Sequence, residues 1–435
     1  MRAGWQAAWL GLLLLPLPGN GAVVEEAEAK LRLTYGNGTA RNTSIESSAT
    51  LLPRMAISLG DQVWLETSAR VRVHGANKLE PERPAYQNYT SASRPRMLSD
   101  DDTAELRDFY FELTLGNSNL RVGKQQIVWG NLDGLRVLDQ MNPHSFREFI
   151  LADFEESRIG LWSLYYDTSV GPWRAELVWT PDTTTHDIPE PGAWFEFQAP
   201  RYRYGASAGA PLPEITTDLP KSMTDDATYG ARLSGAVGRL DIRLQAQTGL
   251  DYEPLGRLQA TPSGVVLEQF YRKRQIYGLS FESTLAGLVV RGEFSAQPNR
   301  TFNTSDAGDL KLAEADQWTG AIGLDLNGPW STFFNFQYVY DRVSSPPDGL
   351  VRPNTDHIAT VFARRTFAYD AITAELRWYG TLDENDGLAR GSVSWTLADN
   401  LSVELGADFF YGDEEGIFGQ FQDRDRAYVS VAFTF

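Results

Sequence analysis

The chain of 435 residues contains no cysteine, so no disulfide, thiolate nucleophile or cysteine-based metal site can form. Histidine is scarce: His74, His144, His186 and His357 are the four. No HExxH motif occurs, and no nucleophile is advertised beside a base. The chain therefore reads as a non-enzyme that needs no cofactor and no metal ion. Asp100-Asp101-Asp102 and Asp413-Glu414-Glu415 offer oxygens to a divalent cation, but they read more simply as solvated loop acids. Lysine is rare too, and nearly all of the 39 basic residues are arginine, whose planar fork suits carboxylate, phosphate or sulfate. Acids outnumber them at 57, and a net charge of −18 argues against a nucleic-acid partner. No stretch beyond the N-terminal region offers about 18 successive apolar residues, which excludes a membrane-spanning helix.

What the chain does have is alternation. Leu240, Ile242, Leu244 and Ala246 interleave with Asp241, Arg243, Gln245 and Gln247. Ile372, Ala374, Leu376 and Trp378 interleave with Thr373, Glu375, Arg377 and Tyr379, and Leu401, Val403, Leu405 and Ala407 with Ser402, Glu404, Gly406 and Asp408. A period of two marks strands with one greasy and one wet face. Strands are expected near 29–36, 48–59, 62–74, 104–116, 119–130, 157–168, 172–182, 227–237 and 239–252. The remainder fall near 264–285, 288–299, 316–328, 330–343, 356–369, 371–383, 387–398, 400–412 and 425–435.

Short turns at 60–61, 117–119, 238–239, 286–287, 327–329, 370 and 400 alternate with long links at 75–103, 131–156, 183–226, 300–315, 344–355 and 413–424. The link near 384–386 is short where a long one is due. Such alternation is the habit of outer-membrane barrels. The expected fold is all-β: a transmembrane, antiparallel, up-and-down β-barrel of about 18 strands, with 16 satisfying the same parity. Alternation alone does not separate a barrel from a sandwich. Trp173, Trp179, Trp318, Trp330, Trp378, Trp395, Tyr338, Tyr340 and Tyr411 near strand ends, and the many charges on the polar face, favour the barrel.

The two ends agree with that reading. Residues 1–22 look like a secretory signal, with Arg2, an apolar core at 7–17, and Asn20-Gly21-Ala22 for cleavage. Removing them takes away one Arg and no acid, so −18 becomes −19. Residues 23–435 are then one barrel. The segment 425–435 (DRAYVSVAFTF) alternates to a terminal Phe435 and resembles the signal by which the barrel-assembly machinery recognises its clients. That machinery and outer-membrane lipids are the expected partners, in the bacterial outer membrane.

On this register Arg243, Glu282, Arg291, Glu293, Asp325, Asp341, Glu375, Arg377, Glu404, Asp408 and Arg426 face the lumen, and the excess of acid favours cations or polar neutral solutes. Residues 120–158 are the most distinctive stretch. Strict alternation would turn Lys124 to lipid, so a bulge at Gly123 is expected. Beyond Gly130 the period changes, and Asn142-Pro143 breaks the chain. Ser145 and Glu148 match a capping box for a helix over 146–155, with Phe146, Phe149, Ile150 and Phe154 on one face. Folded into the barrel, 131–156 would be a plug or constriction. Arg136, Asp139, Asn142, Arg147, Asp153 and Arg158 would be its polar contacts. The alternative is a self-packed surface loop.

The run Gly-Lys-Gln-Gln-Ile-Val-Trp-Gly at 123–130, followed by Asp-Gly-Leu-Arg-Val-Leu-Asp-Gln-Met-Asn-Pro at 133–143, resembles an uncharacterised family of proteobacterial outer-membrane barrels. In that family a Leu-Arg-x-Gly-Arg-Gln-x-x-x-Trp-Gly strand precedes a segment ending in Asn-Pro. The chain is similar, more distantly, to alginate-export channels. Arg121, Lys124, Gln125, Trp129 and Asn142 are the motif positions, with Lys124 where the family has arginine. The resemblance implies a channel or conduit passing or exporting a polar or lipid-like substrate. It also implies a periplasmic carrier and an inner-membrane pump of the resistance-nodulation-division type as partners. A sealed structural or partner-docking barrel, and a soluble secreted protein binding carbohydrate, are the other readings.

Overall fold

Every alternating stretch becomes a rung-by-rung ladder in the computed structural model, which describes residues 22–435 apart from 40–42, 81–83, 263 and 307–308. The expected signal at 1–22 lies outside the described residues except for Ala22. The wall runs through β1 (Val23–Gly38), β2 (Thr43–Ser58), β3 (Val63–Asn77), β4 (Thr103–Leu115), β5 (Ser118–Gln125), β6 (Leu161–Val170), β7 (Trp173–Thr180), β8 (Thr228–Val237) and β9 (Leu240–Leu250). It continues through β10 (Lys273–Leu285), β11 (Leu288–Asp306), β12 (Asp309–Asn327), β13 (Phe333–Ser344), β14 (Thr355–Phe367), β15 (Ile372–Thr381), β16 (Gly387–Ala398), β17 (Leu401–Tyr411) and β18 (Arg426–Thr434). Each strand pairs antiparallel with the next. β18 returns to β1, from Lys30↔Thr434 to Gly38↔Arg426, so the sheet closes and no edge is left open.

Burial decides between barrel and sandwich. Leu244 is 48 % exposed while its neighbour Gln245 is 6 % exposed, the inverse of a soluble core. Trp318, Trp330, Trp395, Tyr338 and Tyr411 are likewise exposed near strand ends. Tight turns join the strands at the end where β1 begins, and the longer links gather at the other.

Four local expectations need correction. The stretch 264–285 is two strands: Gly264–Phe270 leaves the wall and forms a small sheet with Leu255–Thr261 and Glu214–Asp218, and β10 starts only at Lys273. The link 300–315 is no loop, because β11 and β12 stay paired up to Asp306 and Asp309. No bulge interrupts β5: its pairing to both neighbours runs unshifted from Ser118 to Gln125, and the register break lies on β4 between Leu106 and Asp108. Gly123 has φ +141°, and a Cβ there would sit 2.1 Å from Phe109 O, so the site still requires glycine. The helix over 146–155 shrinks to one turn, Phe154–Ser157, entered from Asp153. Ser145 Oγ does not cap it but donates to Asp187 at 2.9 Å. Phe149, at φ +52°, is drawn into an aromatic cluster instead, so tertiary packing overrides the local signal.

Candidate functional site

After Gln125 the chain leaves the wall and crosses the lumen before rejoining it at Leu161. Asn142 closes the root of this insert. Its Oδ1 accepts from Ile127 N at 2.7 Å, and its Nδ2 donates to Ile159 O at 2.8 Å and Gln125 O at 3.3 Å. Trp129 is buried beside Met141, and its ring occupies the space that a Cβ on Gly230 would need, 2.6 Å away.

Residues 131–141 lie on one side of the lumen. Leu138 N donates to Glu293 on β11 at 3.0 Å, as does Asn131 N. Gln245 and Gln247 on β9 donate to Leu138 O and Gln140 O, each at 3.0 Å. Gln337 on β13 donates to Asp133 O at 2.7 Å. Residues 147–157 lie on the opposite side. Glu148 pairs with Arg426 on β18 at 3.1 Å, and Arg390 on β16 donates to Leu151 O at 2.9 Å. Arg32 on β1 holds the Glu156 carboxylate through two bonds of 2.8 and 2.6 Å. Arg70 on β3 and Arg107 on β4 donate to Glu156 O. Phe149 packs with Phe195 and with Phe418 and Phe421, which ties in the links 181–227 and 412–425.

Beneath this crossing lies a cavity of 890 Å³, walled by β13 to β18, β1 and the underside of the insert. Nine arginines and eight carboxylates line it, so the acid excess expected of the lumen as a whole is absent here. Several of the arginines lack an acid partner. Arg72 and Arg364 make no ion pair among the described residues, and Arg136 lies 5.1 Å from the Phe146 ring centroid. Burial pulls Arg136 down to about 10. Higher up, Asp408 bridges Arg390 at 2.8 Å and Arg426 at 2.6 Å.

Of the candidate residues, Arg136, Arg147, Asp153, Arg291, Glu375 and Arg377 line this cavity. Asn142, Gln125 and Glu293 instead position the insert, as does Asp139, which pairs with Arg158 at 2.5 Å. Arg121 lies elsewhere, stacked 4.0 Å from the Tyr165 ring centroid. Arg243 stays on β9 outside the cavity lining, its Nη1 buried without a hydrogen-bond partner. Lys124 is 1 % exposed and donates to Ser93 O at 3.3 Å, so a covering loop, not a bulge, shelters it. Arg32, Arg72, Arg364 and Arg390 were not among the candidates. Arg32 between Leu31 and Leu33 carries the alternation that reveals an inward arginine. Among the described residues no group of three or more His, Cys, Asp or Glu could hold a metal ion.

Solved structures share the fold. OpdK of Pseudomonas aeruginosa, solved with vanillate, matches at 10% identity over 94% of this chain and 98% of that one, with a TM-score of 0.50. OccD3 (OpdP) of the same organism matches at 9% identity over 95% and 93%, also at 0.50. These likenesses show that the chain shares the closed β-barrel fold of those outer-membrane proteins. A search of curated proteins finds no match. A family model matches residues 71–435, and the chain belongs to that family, described as "Protein of unknown function (DUF1302)".

Proposed function

We propose that the protein is an outer-membrane channel for small polar solutes, with 131–156 as its constriction. The observation that carries this reading is the insert itself, bonded to β9, β11 and β13 on one side and to β16, β18 and β1 on the other. A barrel of this strand number would otherwise leave a wide aqueous bore. The space left under the crossing, 890 Å³, is of small-molecule size. Its lining of paired and unpaired charges suits polar solutes better than lipid-like ones, and a chain fixed to opposite walls leaves little room to thread a polysaccharide.

Single-channel conductance in planar bilayers tests this. The intact protein should give small, steady currents, and a variant lacking 131–156 should give currents several-fold larger. Equal, large currents from both would remove the constriction from the account. Silence from both would favour a sealed barrel that docks partners.

A further inference from the structure

Two guanidinium–ring pairs stand side by side on the cavity wall of β13 to β15. Arg364 Cζ is 5.7 Å from the Phe333 ring centroid, and Arg377 Cζ is 4.4 Å from that of Phe362. Each arginine faces its ring directly across the ladder, Phe333↔Arg364 and Phe362↔Arg377. The two rings meet edge to face with centroids 6.1 Å apart. A guanidinium laid over a ring uses its flat face there and keeps its N–H edge for a planar acceptor. Among the described residues the edge of Arg364 meets no acid within ion-pair distance, although Glu375 stands across the ladder from it, and that of Arg377 meets Glu375 at 3.3 Å and the Tyr379 hydroxyl.

The rungs above show what such edges take. Arg377 lies across from Arg390, which with Arg426 shares Asp408. These upper arginines also hold Leu151 O and the Glu148 carboxylate of the insert. The chain's own carboxylate and carbonyl oxygens thus fill the upper sites. The lower two offer the same kind of donor, Arg364 without an acid and Arg377 only partly taken up, beside half-buried aromatic rings.

Taking the barrel as a channel, we propose that Arg364, Arg377, Phe333 and Phe362 form a binding site for small aromatic carboxylates. The carboxylate takes the guanidinium edges through charge-assisted hydrogen bonds, and the flat apolar body lies against the phenylalanines. A compact oxyanion such as phosphate satisfies the arginines but leaves the rings wet, and a neutral amide leaves the guanidinium edges without an anion.

The test is calorimetric titration of the refolded protein in micelles with benzoate, benzamide and inorganic phosphate. Benzoate should bind saturably and benzamide at least about tenfold more weakly; Arg364→Gln and Arg377→Gln should each weaken benzoate about tenfold. Phe362→Leu should weaken benzoate and leave phosphate unchanged. Faster gel migration before heating verifies that each variant is folded. Benzamide or phosphate binding as tightly as benzoate, indifference to all three substitutions, or no saturable benzoate binding would overturn the site. Binding in micelles needs no conduction, so silent bilayers would sink the channel reading without touching this result.

Discussion

Asn142 shows how much one side chain can organise. It is 3 % exposed, and its three bonds fix the two strands of the insert where they leave and rejoin the wall. Asn142→Ala leaves the Ile127 amide and two carbonyls unpaired, a loss of about 3 kcal/mol of local stability. Hydrogen exchange across 126–160 should accelerate while exchange in the strands stays as it was; unchanged exchange at Ile127 would refute the role. Asn142 was legible because Asn-Pro ends a motif. Arg364 was not, because it precedes Arg365 and a doublet defeats a period-two reading. The register puts Arg364 opposite Phe333 in the lumen, and Arg365 opposite Ala374 on the outer face.

At the scale of elements, strands were readable and the insert was not. A strand on a barrel wall meets one wet and one greasy surface, and its sequence records both. The insert meets a different neighbour at nearly every residue, so its shape is set by Asp187, Phe195 and Arg390, which lie far away in sequence. Its junction with the link 181–227 should respond to pH. Asp187 accepts from Ser145 Oγ and from Tyr89 OH, and burial, with Glu80 adding to it, pushes its carboxyl up to about 7. A carboxyl raised in the folded state keeps a proton that the unfolded chain has already released. The junction is therefore most stable below the ordinary carboxylate range, and it loses that stability as pH rises towards 7. The loss is about 1.4 kcal/mol per pH unit at most. His144 and His186 are held well below their usual range, chiefly by burial. Protection factors of the 144–146 amides, taken relative to intrinsic exchange at each pH, should be lower at pH 8 than at pH 5, and Asp187→Asn should abolish the difference. A pH difference that survives the substitution would assign the effect to another group.

For the whole molecule, closure was legible because the eighteen alternating stretches came with aromatics near their ends and charges on their polar face, and a bilayer tolerates no open edge. The extent of β11 and β12 was hidden because Arg300 to Asp306 carries mixed polar residues where the ladder rises past the apolar band. A closed ladder of this size should withstand detergent at room temperature, so unheated protein should run faster on a gel than boiled protein. Identical mobility would contradict the barrel. The crossing insert adds a mechanical consequence. A hoop of strands can be flattened into an ellipse with little change in any one hydrogen bond. This hoop carries a tie-rod, because Gln245 and Glu293 grip one end of the insert while Arg32, Arg390 and Arg426 grip the other. Such a rod resists change in the width of the hoop along its own line, so in the proposed channel the size of molecule admitted should not drift with membrane thickness or tension.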